Sequence, residues 1–110
     1  MAYLSTLLEN KQYERLSGTG EVSFTGVYAT DLLSTAIKHM RANTVLITLI
    51  CSQSTLNVMT MLDIEIVILT QDAIPNDTFI EQAKQAQITV IQTTYLTHEV
   101  IKDMVLRGLL

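Results

Sequence analysis

Cysteine and proline occur once each, as Cys51 and Pro75, and tryptophan does not occur at all. A lone cysteine closes no internal disulfide, which agrees with a reducing compartment. Basic residues are few: Lys and Arg number 7 against 11 Asp and Glu, giving a net charge of -4, and no basic run appears along the chain. That balance excludes duplex nucleic acid as a partner. The two histidines, His39 and His98, have no second histidine or cysteine at ligand spacing. No zinc or iron site and no cofactor is therefore expected. The longest apolar run, Val45 to Cys51, contains Thr48 and falls far short of the roughly 20 residues of a membrane span. At the N-terminus Glu9, Asn10 and Lys11 interrupt the first apolar stretch, so no export signal is read and a cytoplasmic location is expected.

What the chain does have is apolar surface. Hydrophobic residues make up 48% and charged residues 16%, where about 25% charged is typical, and the mean hydropathy is +0.31. A chain of 110 residues is expected to be one domain with one core, burying roughly two thirds of its unfolded surface. That leaves more apolar surface than a small monomer easily hides. A two-fold homodimer is the expected remedy, with the last helix as its clearest contact, because Val100, Ile101, Met104, Val105 and Leu106 are followed by Leu109 and Leu110.

Along the chain the pattern is a repeated strand, polar turn and helix. Residues 3 to 9 carry Tyr3, Leu4, Leu7 and Leu8 at helical spacing, and Tyr13 and Leu16 fall in a brief extended segment. Ser17-Gly18-Thr19-Gly20 is turn chemistry, lacking the following Lys-Ser or Lys-Thr of a phosphate loop. Val27 to Ala29 suit a buried strand, Thr30 or Asp31 can cap the next helix, and Leu32, Leu33, Ala36, Ile37 and Met40 recur as its apolar face. Thr44 to Ile50 is the best candidate for the centre of the sheet, since its nearly unbroken β-branched and apolar run calls for cover on both faces. A turn at Cys51-Ser52-Gln53-Ser54 and a helix bearing Leu56, Val58, Met59, Met61 and Leu62 complete a second unit, with both methionines expected as core filler. Ile64 to Thr70 is the next strand, flanked by Asp63 and Glu65 as solvated carboxylates. Pro75 suits the first turn of a helix, Thr78 with Glu81 can form a capping box, and Phe79, Ile80, Ala83 and Ala86 supply its inner face. Ile88 to Ile91 is a fourth strand, and Thr97 caps a last helix.

Such alternation predicts an α/β domain over residues 1–110, a mainly parallel sheet flanked by helices. The turns after its strands gather at the carboxyl edge, where open α/β folds bind ligands. Thr30, Asp31, Ser52, Gln53, Ser54, Thr55, Asn57 and Thr70 are accordingly the candidate ligand-binding residues, with helix N-termini able to hold a phosphate. The residue types supply no catalytic constellation. Cys51 with Asp31 is the one pair an enzyme could use as nucleophile and base.

Thr25-Gly26-Val27-Tyr28, Asp31-Leu32-Leu33-Ser34, Ile47-Thr48 and Asn57, in this order of elements, resemble the DRTGG domain, a bacterial module similar in fold to the N-terminal domain of HPr kinase/phosphorylase. The chain departs from the family pattern in having no Asp-Arg pair ahead of Thr25-Gly26 and in carrying Ser54-Thr55 where a histidine is common. The resemblance implies a regulatory or assembly module rather than an enzyme, one that occurs alone or beside other domains of a larger assembly, such as CBS domains in nucleotide-regulated pyrophosphatases. An adenine nucleotide or another small anion is the ligand it implies. A pure dimerisation domain with no ligand and a small enzyme using Cys51 are the alternatives.

Overall fold

Four short strands run parallel and side by side in the computed structural model, which describes residues Met1–Leu110. In chain order the elements are β1 (Ala2–Tyr3), α1 (Leu4–Leu7), β2 (Tyr13–Arg15), β3 (Ser23–Phe24), β4 (Gly26–Ala29), α2 (Leu33–His39), β5 (Thr44–Thr48), α3 (Gln53–Leu62), β6 (Ile66–Leu69), α4 (Asp77–Gln85), β7 (Thr89–Thr93) and α5 (Thr97–Leu106). The main sheet has the order β2-β7-β6-β5-β4, with β2 antiparallel to β7 and the other pairs parallel. The expected α/β class with a mainly parallel sheet is thus observed. A separate two-stranded ribbon of β1 and β3 and the antiparallel edge strand β2 complete it. No helix is long and apolar enough to cross a membrane.

Burial explains why the centre of the sheet is so apolar. Along β5 and β6 successive side chains point to opposite faces, and both sets are buried. Val45, Ile47, Ile66 and Ile68, with Ile91 of β7, form one core with Leu4 and Leu7 of α1 and Val100 and Met104 of α5. Leu46, Val67, Leu69 and Val90 form the other with Leu56 and Met59 of α3 and Phe79 and Ala83 of α4, and α2 adds Leu33 and Met40 at its margin. The result is three layers, with α2, α3 and α4 on one face and α1 and α5 on the other. At the edge, β4 is only half-buried and its Ala29 is exposed, so the expectation of a buried strand there fails for want of an outer neighbour.

Helix ends account for most boundary corrections. α3, α4 and α5 close in the same way. Asp63, Gln87 and Gly108 adopt left-handed backbone with φ of 55°, 60° and 73°. The next residue's N–H then returns to a carbonyl five positions back: Ile64 to Met59 at 2.9 Å, Ile88 to Ala83 at 2.9 Å, and Leu109 to Met104 at 2.8 Å. All six of those residues are buried, which is the hydrophobic contact that accompanies this motif. Ile64 therefore belongs to a helix stop rather than to the following strand, and Leu109 to the core rather than to an exposed stripe. Ala86, expected on the inner face of α4, is exposed at its C-cap, and Met61, expected in the core, is exposed on α3.

Helix starts differ from expectation too. Asn76, not Thr78, caps α4, its Oδ1 accepting from Phe79 N–H at 2.8 Å, and Pro75 precedes the cap instead of opening the helix. No capping box with Glu81 forms. In α5 the cap position is Leu96, whose N–H donates to Glu99 Oε1 at 2.9 Å. Thr97 turns its hydroxyl to Thr70 instead, at 3.1 Å.

The two ends of the chain meet at Asp103. Its carboxylate accepts from Tyr13 Oη at 2.8 Å, from Arg107 Nη2 at 2.8 Å and Nε at 3.1 Å, and from Asn10 Nδ2 at 3.3 Å. Arg107 also donates to the Thr6 and Leu7 carbonyls at 2.7 and 3.0 Å, which also accept from Glu9 and Asn10 N–H at 3.2 and 3.3 Å where α1 ends. Tyr95 packs edge-on against Tyr13, with ring centroids 5.7 Å apart. Burial raises the Tyr13 phenol and its hydrogen bond to Asp103 raises it further, so it stays a donor. Burial alone would raise Asp103, but the hydrogen bonds from Arg107 and Tyr13 outweigh it and hold the carboxyl below its ordinary value.

Two measurements check these local arguments. Gln87→Gly should gain about 0.5–1 kcal/mol in urea unfolding, because glycine adopts the left-handed conformation without the Cβ penalty. Asp103→Asn should cost about 2 kcal/mol at neutral pH. Since the folded carboxyl titrates below its unfolded value of about 3.9, that contribution is present above about pH 4 and fades as pH falls through the folded value. The gap between wild type and variant should narrow in acid. A gap independent of pH would mean that packing, not charge, is what Asp103 supplies.

Candidate functional site

Because β4 to β7 are parallel, the loops 30–32, 49–52, 70–76 and 94–96 open on one edge. The backbone there is tightly tied. Thr30 N–H donates to Ile47 O at 3.0 Å, Thr70 N–H to Thr48 O at 3.1 Å, and Gln71 N–H to Tyr95 O at 3.0 Å.

The eight candidate residues divide by what their side chains already do. Asp31 does not cap a helix: its Oδ1 accepts from Thr48 Oγ1 at 3.0 Å and from Leu49 N–H at 2.9 Å. It pins the loop after β4 to the one after β5. Thr30 Oγ1 accepts from Leu32 N–H at 3.0 Å and lies 3.0 Å from Thr35 Oγ1, so it shapes the entry to α2 from three positions before the first helical residue. Thr55 and Thr70 are buried. The first donates to Ile50 O at 2.6 Å, and the second lies 3.1 Å from Thr97 Oγ1. Both hydroxyls hold loops. Gln53 Nε2 donates to Asn57 Oδ1 at 2.8 Å on the exposed side of α3. Ser52 occupies the α3 cap position in extended conformation, yet its side chain caps nothing, and Ser54 is exposed in the first turn.

Ser52 and Gln53 line a depression of about 380 Å³ shared with Cys51, Asn76, Thr78 and Gln82. It lies where the N-termini of α3 and α4 meet, an environment that favours negative charge. Asn76 and Thr78 line it without being among the eight candidate residues, although a short polar residue directly after Pro75 is the signal of a helix start. Cys51 is half-buried, and the Asp31 oxygen that could have served it is engaged by Thr48 and Leu49 instead. No group of three or more His, Cys, Asp and Glu side chains stands together as a metal site requires.

A larger depression lies at the opposite, amino edge. It measures about 670 Å³ and is lined by Arg15, Gly18, Thr19, Glu65, Lys84 and Gln87 among others. Its wall is the Ser17–Gly20 turn. Gly18 has a φ of 86°, and a Cβ there would collide with Thr89 Oγ1, so both backbone and space demand glycine. Arg15 holds the turn closed, with Nη1 on Gly20 O at 2.8 Å and Nε on Ser17 O at 3.2 Å. Its guanidinium is thereby occupied, and the remaining charges, Lys84, Glu21 and Glu65, are of both signs.

No family model matches the sequence, and no curated protein matches it significantly. The fold does match a crystal structure, that of the CBS and DRTGG domains of the regulatory region of a Clostridium perfringens pyrophosphatase complexed with the activator diadenosine tetraphosphate. The TM-score is 0.73 over 94% of this chain. The fold is DRTGG-like. Identity over the match is 18%, and the chain spans about half of that structure, 46% of its length. A likeness at that identity carries the DRTGG-like fold and leaves the activity to be argued from the site.

Asp31 provides the sharpest test of how this edge is built. Asp31→Asn keeps a carbonyl acceptor for Leu49 N–H and Thr48 Oγ1 and should stay within about 0.5 kcal/mol of wild type. Asp31→Ala orphans both donors and should lose about 1–2 kcal/mol in denaturant unfolding. Equal losses in the two variants would assign the role to the charge instead.

Proposed function

We propose that residues 1–110 form one non-catalytic DRTGG-like regulatory module, which takes an adenine nucleotide or another phosphate-bearing anion at the carboxyl edge. The observation that carries this reading is the depression between the first turns of α3 and α4, where Ser52 leaves a helix N-terminus without a side-chain cap. Phosphate oxygens suit such a place, because unpaired backbone donors and the helix dipole both favour negative charge. Support also comes from the shared fold of a regulatory region that holds an activator nucleotide. In this reading Ser52, Ser54 and Gln53 touch the ligand, Asn57 steadies Gln53, and Thr30, Asp31, Thr55 and Thr70 position the loops. Asp31 disfavours a highly charged ligand close to it.

A second reading, assembly through a homodimer without a ligand, is favoured by exposed apolar side chains. Val105 and Leu106 of α5 are 55% and 74% exposed, and Leu32, Ile37 and Met61 stand out from the α2 and α3 surface. A module that acts inside a bacterial cytoplasmic assembly accommodates either reading.

Calorimetric titration with ATP, diadenosine tetraphosphate and inorganic phosphate separates the two. Binding weakened about tenfold by Ser52→Ala with Ser54→Ala, roughly the loss of one or two hydrogen bonds, supports the nucleotide reading. Binding that survives those changes and is lost with Lys84→Ala moves the ligand to the amino edge. No binding by any of the three leaves the assembly reading.

A further inference from the structure

From Ala42 to Leu62 the chain carries no charged residue. Much of that segment is buried strand, but α3 is a surface helix, and it exposes Gln53, Ser54, Asn57, Thr60 and Met61 along its length. A ten-residue helix whose exposed face lacks a single charge is unusual on a soluble surface, whereas depletion of charge with exposed methionine is the mark of an interface centre. On one side α2 packs against it and exposes Leu32 and Ile37.

At two corners of this face the exposed charges differ in sign, while Lys84 lies apart from both, toward the amino edge in the last turn of α4. At the C-terminal end of α2, toward the amino edge, Lys38 and Arg41 are exposed beside His39. Across α3, in the N-terminal half of α4 toward the carboxyl edge, Asp77 and Glu81 are exposed. Neither group is ion-paired within the chain, whose one salt bridge joins Arg107 to Asp103. The basic and acidic corners therefore lie diagonally opposite across a neutral centre.

Such a face is complementary to itself. A two-fold axis lying in the face, passing over the middle of α3 and perpendicular to the line that joins the two corners, brings each corner onto its opposite in a second copy. The residues nearest the axis meet their own symmetry mates, where like charges would repel; on α3 there are none. We infer that the α2–α3–α4 face is the contact between two copies of this chain, with Lys38 and Arg41 of each against Asp77 and Glu81 of the other. With molecular extents of 32 × 29 × 25 Å, one face is of the size needed for the about 800 Å² that each partner buries in a standard interface. The α5 patch is the poorer candidate, because Val105 and Leu106 share their exposed surface with His98, Glu99 and Lys102. This inference rests on the self-association reading and adds its surface and symmetry.

Sedimentation of the full chain at micromolar concentration tests it, with circular dichroism confirming that each variant folds. The wild type should dimerise, and Asn57→Arg should raise the dissociation constant at least about tenfold by placing charge near the axis. Lys38→Glu with Arg41→Glu should weaken the dimer about tenfold, and adding Asp77→Lys with Glu81→Lys should restore it to within about threefold. A dimer indifferent to Asn57→Arg but dissociated by Leu106→Glu overturns this surface and keeps self-association. A chain that stays monomeric at all concentrations overturns both. Failure of the charge exchange to restore binding overturns the corner pairing.

Discussion

Two strands that bury both faces set the terms for everything else. Val45–Thr48 of β5 and Ile66–Leu69 of β6 leave almost nothing in contact with water, and a sheet of that kind is stable only when helices cover it above and below. The connections α2, α3 and α4 all lie on one side, so the other side needs cover from elsewhere. It comes from the chain's two extremities: α1, reached from the β1–β3 ribbon, and α5, the last helix. Neither of these suffices alone. α1 is one turn long, far below what holds a helix together in water, and it persists because Leu4 and Leu7 are sunk in the core and its carbonyls are met by Arg107.

The carboxyl edge follows the same economy. The loops there are short, and their polar side chains are largely committed to holding one another: Asp31 to Thr48 and Leu49, Thr55 to Ile50, Thr70 to Thr97. Rigid loops with their buried hydroxyls satisfied make a firm rim. What the rim leaves without a side-chain cap is the start of α3 beside it, while Asn76 caps α4.

The layered architecture was legible because its signal is strong and repeated: apolar β-branched runs at Thr44 and Ile64 separated by helical periodicity leave little choice of fold. Element ends were less so. Asp63 and Gln87 adopt a left-handed conformation that residue type assigns to glycine, so nothing local marks those two helix stops, while Gly108, the one stop with the expected residue, sits among leucines that suggest an exposed stripe. β2 pairs antiparallel with β7 across 73 intervening residues and more, and no local pattern announces a partner so distant. At the carboxyl edge, residue type identifies which loops gather there but not the direction of each side chain. Threonine looks the same in sequence whichever way its hydroxyl turns; that of Thr55 meets the Ile50 carbonyl and that of Thr70 the Thr97 hydroxyl.

Arg107 has a consequence for how the molecule is made. It supplies hydrogen bonds to residues 100 and 101 positions earlier, so on a ribosome the first helix lacks this side-chain clamp on its carbonyls until the residue that closes the last helix emerges. The parallel units can pair as they appear, one after another, but the segment that covers their second face must wait. Contacts that span nearly the whole chain slow folding and join its parts into one event. The apolar face of β5 and β6 is therefore bare for most of synthesis, and removing the last few residues should cost the first ones their place.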